Sequence, residues 1–213
     1  SPAAADLAAL GLVAGWGVGG AVRSAGLATG LVTGALDAGR FVDAALERPS
    51  GRASLLDPDA RVLAVGTLTS KSPPALAGVA VTYALYGEED FGEEGARFLA
   101  RIAAARRAAG RSAPGELRGA QPILAQAAAD LPESRDPADA LGDALPRIGA
   151  ARGGPVRGVW LEGTSVDDLP IPDELLQGDP LRMAVAIGYY QPAGSPWGRL
   201  VALVVLDAEA MGI

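Results

Sequence analysis

One pattern of elements occurs twice in this chain and constrains the fold more than any other feature. In each copy a Leu-Leu pair and an aspartate lead into an apolar strand ending in glycine, then a loop with proline and a second apolar strand. The copies cover residues 55–85 and 175–206, about 120 residues apart. Internal repeats of this kind decide architecture. We interpret them as a duplicated unit; the alternative is two unrelated antiparallel hairpins, because all such hairpins share an alternation of period two.

Apolar periodicity predicts the elements around these hairpins. Within the first hairpin, Val79, Val81, Tyr83 and Leu85 alternate with smaller residues. We therefore expect one face of that strand to be buried more deeply than the other. The further predicted elements are helices over residues 37–48, 88–109, 123–131 and 140–148, and a strand over residues 156–161.

Composition bounds the class of protein. Apolar residues make up 49% of the 213 residues and aromatic residues only 5%, so the core must consist mainly of Ala, Val and Leu. The net charge is −7 and the pI about 4.6, which argues against a nucleic-acid partner because phosphate binding needs clustered Lys and Arg.

The chain contains no histidine and no cysteine. This excludes Ser-His-Asp and Cys-His catalysis, thiolate zinc sites and histidine-based metal centres. We therefore predict no catalytic residue, no metal ligand and no cofactor-binding residue. An enzyme of this composition would need carboxylates, Lys, Tyr or Ser working without an imidazole.

The segment 6–36 is apolar and rich in glycine. Its glycines fall four residues apart in two sets: Gly11, Gly15 and Gly19, then Gly26, Gly30 and Gly34. On a helix this spacing makes a groove for close packing in a membrane, whereas the other interpretation is a mixture of strand, turn and short helix. We favour the second interpretation, and because each half is too short to cross a bilayer, any contact of this segment with a membrane would be an association without spanning. The residues Ser1–Ala5 hold no basic n-region, so no intact signal peptide is predicted.

Three stretches resemble the bacterial form of the CAP superfamily, which comprises cysteine-rich secretory proteins, antigen 5 and pathogenesis-related proteins. Residues 99–110 are similar to its opening helix, L-x-x-I-N-x-x-R-x-x-x-G, and residues 124–131 to its alanine-rich second helix. Residues 48–58 are similar to its S-P-x-H-R-x-x-L-L-D-P stretch. The resemblance implies an α-β-α sandwich with an antiparallel sheet, in the α+β class. It also implies an incomplete unit at 1–86 and a whole unit at 87–213.

The departures from the family bear on function. Members with the full pattern use two histidines and two acidic residues in a central groove, often with a divalent cation. Here the histidine positions correspond to Ala128 and to Gly51. The resemblance therefore carries over a fold without its reactive centre. Arg52, Trp160 and Glu162 are the candidate lining of a ligand groove.

These observations lead to a non-catalytic binding or structural module of the cell envelope or the extracellular (periplasmic) space. Its expected partner is a protein, glycan or lipid of the envelope. Two alternatives stay open. One is a histidine-free hydrolase of glycans using carboxylates such as Glu162, or the adjacent acids at 167–168 and 173–174. The other is a membrane-associated, self-assembling protein that packs through residues 6–36.

Overall fold

The computed structural model describes residues 21–34, 36–131, 136–193 and 198–208, without the side chains of Glu88 and Glu89. The chain divides into two compact units, residues 1–86 (unit 1) and 87–213 (unit 2). Both units combine helices with a β-sheet, and the predicted α+β class is confirmed. The segment 6–20 and the tryptophans Trp16 and Trp197 lie outside the described residues.

Unit 1 is a three-stranded sheet with two helices packed on one face. Its elements are β1 (Val22–Thr33), α1 (Ala38–Leu46), α2 (Pro49–Leu55), β2 (Ala60–Lys71) and β3 (Pro74–Leu85). The strand order is β1-β3-β2, and both pairings are antiparallel. The α1 helix begins where the Asp37 carboxylate accepts from the amides of Gly39 (2.8 Å) and Arg40 (3.3 Å), which satisfies free donors of its first turn.

Glycines in the sheet of unit 1 make room for the helices. The ring of Phe41 in α1 lies over Gly30 and Gly78, and a Cβ at either glycine would come within 2.7 Å of its ring atoms. Gly26 and Gly30 belong to β1, so the helical interpretation of their four-residue spacing is wrong. Their small size serves close packing of a helix on a sheet, not of one helix on another.

The expectation of one dominant buried face on β3 is also wrong. Every residue from Val79 to Ala84 is at least nine-tenths buried. The reason is that β3 is the central strand, so the side chains of β1 and β2 flank it on both sides while α1 and α2 cover one face. The alternation of large and small residues along β3 indicates which face of the sheet carries the larger side chains. It does not indicate which face is exposed to solvent.

Unit 2 has three layers: one helix, a four-stranded sheet and two helices. Its elements are α3 (Glu88–Ala108), β4 (Gly115–Glu116), α4 (Gln121–Ala129), α5 (Pro137–Arg152), β5 (Val156–Gly163), β6 (Arg182–Tyr190) and β7 (Arg199–Asp207), with 3₁₀ turns at Val166–Asp168 and Asp173–Leu175. Gly188 of β6 faces Ala128 of α4, whereas its neighbour Ile187 faces Gly95 of α3. Since successive side chains on a strand point to opposite faces, α3 and α4 cover opposite sides of the sheet.

The sheet of unit 2 has the order β4-β6-β7-β5. The pairs β5–β7 and β6–β7 are antiparallel, as expected, but β4 runs parallel to β6 over two residues. The expectation of a wholly antiparallel sheet is therefore wrong at this edge. The physical reason is that β4 follows α3 in the chain and does not belong to the β6–β7 hairpin, so no tight turn forces it to run antiparallel to β6.

The two candidate repeats hold the same position in their sheets. In each, the last strand in sequence (β3 or β7) is central, with the preceding strand (β2 or β6) on one side and an earlier strand (β1 or β5) on the other. A helical turn ending at Leu55 or Leu175 and an Asp-Pro pair lead into the hairpin in both cases. Among the described residues, none of the helices is both long and apolar enough to cross a membrane.

Candidate functional site

The three residues proposed from sequence as a ligand groove fall on two elements. Trp160 and Glu162 lie two residues apart on β5 and so share one face of the sheet. Trp160 is 41% exposed. The carboxylate of Glu162 accepts a hydrogen bond from the Arg199 guanidinium at 2.8 Å. Arg52 belongs to α2 in unit 1, where its guanidinium donates to the Leu46 carbonyl at 3.1 Å.

A pocket of about 770 Å³ lies elsewhere, at the β6 edge of the unit 2 sheet. We call it the edge groove. One wall is the first half of α3, the other wall is α4, and the floor is β6 beyond the end of β4. Its lining residues are Phe91, Gly92, Gly95, Ala96, Leu99, Pro114, Gly115, Glu116, Gln121, Ala125, Ala128, Ala129, Met183, Ala184, Val185, Ala186, Ile187 and Tyr189.

The walls of the edge groove carry small residues, which leave the space between them unfilled. The α3 wall presents Gly92, Gly95 and Ala96, and the α4 wall presents Ala125 and Ala129. A Cβ built on Gly95 would meet Ile187 Cγ1 and the Val185 carbonyl oxygen only at 3.9 Å, and one on Gly92 would meet nothing within 4 Å. Gly92 therefore lies beside open space, and Gly95 leaves room for a Cβ at van der Waals distance from β6, although each glycine costs a helix interior about 1 kcal/mol relative to alanine.

The floor of the edge groove is a strand edge that the described residues pair only in part. The Leu181 and Met183 carbonyls accept from the amides of Gly115 (2.8 Å) and Leu117 (2.9 Å), so the odd-numbered residues of β6 direct their backbone groups outward. The Val185 carbonyl accepts from the Gln121 side-chain amide at 2.9 Å. Beyond it, no described residue bonds the outward N–H and C=O of Ile187 or Tyr189.

Polar side chains are few around this edge. Glu116 supplies the one carboxylate among the described lining residues, and Gln121 and Tyr189 supply an amide and a hydroxyl. The Tyr189 hydroxyl accepts from the Gly198 amide at 3.0 Å, and burial raises the pKa of this phenol above its ordinary value, so it stays protonated at neutral pH. A lone carboxylate and a neutral phenol suit orientation of a ligand better than acid-base chemistry, which needs paired groups of different pKa.

Arginines of α3 fix this helix to the loop between β5 and β6. Arg97 pairs with Glu94 and Asp167, both at 2.9 Å, and Arg101 donates to the carbonyls of Val166 and Leu169. Glu94 is thus buried and paired with Arg97.

Arg106 is fully buried at the other end of α3. Its guanidinium donates to four carbonyls, those of Ser112 (2.9 Å), Leu175 (3.2 Å), Gln177 (2.9 Å) and Gly178 (2.7 Å). Burial lowers the pKa of this guanidinium, and nearby Asp179 opposes that shift. The wall of the edge groove is therefore anchored along its length.

The same loop contains a carboxylate whose ionised form the fold stabilises. Asp168 accepts from the hydroxyls of Thr164 (2.5 Å) and Ser165 (2.8 Å), which lowers its pKa. Burial opposes this effect and the charge of Arg101 adds to it. Since the pKa is lowered by folding, the contribution to stability is present above the ordinary aspartate value of about 3.9 and is lost as the pH falls through the folded value.

We therefore expect Asp168→Asn to lower the Tm at pH 7, and we expect this effect to shrink as the pH falls through the lowered pKa of the folded protein, below which both proteins carry a neutral side chain. Thermal unfolding followed by circular dichroism between pH 2.5 and 7 measures this. The double variant Thr164→Val/Ser165→Ala should reproduce the same pH dependence because it removes the two donors. A Tm difference that is constant across the range would show that ionisation of Asp168 contributes nothing.

No group of three or more acidic residues close enough to hold a metal ion occurs in the described part of the chain. Sequence reasoning missed the edge groove because its residues come from four separate elements between 91 and 189. The one available signal was the pair of glycines, Gly92 and Gly95, inside a helical pattern, which suggests a packing or functional reason. The chain matches no protein-family model, no curated protein and no solved structure.

Proposed function

We propose that this protein is a non-catalytic binding module whose ligand occupies the edge groove of unit 2. The observation that carries the proposal is the groove itself: a concave, mainly apolar site of about 770 Å³ with a few polar groups along its floor. Sites of this size and character are typical of ligand binding. The location we propose, following the family resemblance, is the cell envelope or the extracellular space.

The two alternatives have less support. In a glycan hydrolase Glu162 would act with a second carboxylate, yet its described charged partner is Arg199. The adjacent acids are also engaged by basic or hydroxyl groups, since Asp167 pairs with Arg97 and Glu174 with Arg157. Self-assembly through residues 6–36 would have to leave β1 paired with β3, because this strand completes the sheet of unit 1.

Filling the edge groove tests the proposal. Gly95→Leu places an apolar side chain in the groove from a Cβ position free of close contacts. The matched control is Gly142→Leu in α5, an exposed helical glycine whose Cβ would meet nothing within 4 Å. Both changes improve helix propensity to a similar degree, so a difference in ligand binding between the two variants does not reflect a difference in helix propensity.

The probe is Nile red, an uncharged apolar dye whose fluorescence rises when it leaves water. We expect the unsubstituted protein and Gly142→Leu to bind it alike, and Gly95→Leu to bind it about tenfold more weakly, a loss of about 1.4 kcal/mol. Equal binding by all three proteins would place the dye outside the edge groove and would contradict the proposed site.

A further inference from the structure

We infer that the edge groove takes an extended peptide, which adds to the sheet of unit 2 as a strand beside β6 and in line with β4. This inference rests on the proposed function, since it names the ligand of the same groove. Peptide addition to an exposed sheet edge is driven by main-chain hydrogen bonds, and the side chains set specificity.

The floor of the groove presents backbone N–H and C=O groups of β6 that β4 is too short to pair. β4 pairs with β6 only through Gly115–Arg182 and Glu116–Met183. The rest of β6 continues for seven residues to Tyr190, about 23 Å at the rise of a strand. Along this length the outward groups of Ile187 and Tyr189 have no partner among the described residues. A peptide backbone matches donors and acceptors spaced two residues apart, whereas an acyl chain or an apolar small molecule would leave them unsatisfied.

The walls of the groove fit the alternate side chains of such a strand. Side chains of an added strand point in turn to the two faces of the sheet, here toward α3 and toward α4. Gly92, Gly95 and Ala96 leave space on the first side, and Ala125 and Ala129 leave space on the second. Apolar side chains of moderate size, such as valine, therefore fit on both sides.

The charge at one end of the groove selects the flanking residue of the peptide. Glu116 is exposed at the end of β4 and is the one carboxylate among the described lining residues. An arginine or lysine at the end of the peptide nearest β4 complements it. The predicted ligand is thus an extended apolar segment with a basic end.

Backbone methylation of a synthetic peptide tests strand addition. The probe is the fluorescein-labelled nonapeptide Arg-Thr-Val-Thr-Val-Thr-Val-Thr-Arg, and its binding to the unsubstituted protein is measured by fluorescence anisotropy. Two analogues each carry three N-methyl groups, one at peptide positions 3, 5 and 7 and the other at positions 4, 6 and 8. They have the same composition and apolarity, and they differ only in which edge of the strand loses its donors.

We expect one methylated analogue to bind at least about tenfold more weakly than the parent and the other to bind within about twofold, because only one edge of an added strand faces β6. Gly95→Leu should weaken the parent peptide by a similar factor, and Gly142→Leu should not. Glu116→Gln should weaken the parent peptide at low salt and leave a version with threonine at both ends unchanged.

The outcomes separate the two proposals. Nile red binding that is sensitive to Gly95→Leu, combined with no binding of the peptide or with equal binding of both methylated analogues, would overturn strand addition and leave a binding module for another apolar ligand. Dye and peptide binding that are both insensitive to Gly95→Leu would overturn the edge groove as the site.

Discussion

Replacing Arg106 with methionine is expected to lower the free energy of unfolding of unit 2 by about 3–5 kcal/mol. The guanidinium is fully buried and donates to four carbonyls, three of which belong to residues 175–178. Methionine fills a comparable volume but leaves these acceptors without their donor, and the Leu175 carbonyl among them is buried. Each unsatisfied buried acceptor costs about 1–3 kcal/mol, and relaxation of the loop recovers part of the total.

The matched control is Arg107→Met, the exposed neighbour on the same helix, which should change stability by less than about 0.5 kcal/mol. Arg106→Lys should fall between the two because an ammonium has three donors but not the planar fork of a guanidinium. Urea unfolding followed by tryptophan fluorescence, to which Trp160 of unit 2 contributes, gives the three values. Equal midpoints for the Met variants at 106 and 107 would contradict the anchoring role of Arg106.

Substitution of Gly188 by alanine is expected to destabilise unit 2 by about 2–3 kcal/mol. A Cβ at this position would come within 2.5 Å of the Ala128 carbonyl oxygen and 3.1 Å of its carbon. These are backbone atoms of α4, so the clash is relieved only if the helix moves away from the sheet. Without that clash, alanine would be the better residue in a strand interior.

Gly158→Ala in β5 is the control for this change. Its Cβ would meet Leu141 Cδ2 at 2.8 Å, but these atoms belong to one side chain, so relief of the clash requires a shift of a single leucine in the core and not of a helix backbone. We expect a loss below about 1 kcal/mol at this position. Thermal unfolding by circular dichroism compares the two variants. If Gly158→Ala lowered the Tm more than Gly188→Ala, the close approach of α4 to β6 would not be the reason that position 188 requires glycine.

Elements with a strong period were predictable from the sequence. The helical patterns over residues 37–48 and 88–109 located α1 and α3. The hairpin strands followed from alternation bounded by proline-bearing loops, and they occur as β2–β3 and β6–β7. The α+β class followed from these elements. The duplication and the resemblance to the CAP superfamily remain predictions, although the shared strand order agrees with the former.

Features that depend on distant partners were not predictable. The two-residue strand β4 has no period of its own and exists because Gly115 and Leu117 bond to β6. Arg106 lies in a helical run that gives no sign of burial, since its acceptors come from residues about 70 positions later. The edge groove depends on both features. β4 is too short to pair with the whole edge of β6, and Arg106 anchors α3, which forms one wall of the groove.

The position of the central strands has a consequence for synthesis of the chain. β3 and β7 are each the last strand of their sheet to be synthesised. Until β3 leaves the ribosome, no strand joins β1 to β2, and until β7 leaves it, no strand joins β5 to β6. A chain terminated before residue 199 would carry two unjoined apolar strands with open edges, which is the condition that promotes aggregation or capture by chaperones. Folding of unit 2 thus depends on synthesis of the chain through β7.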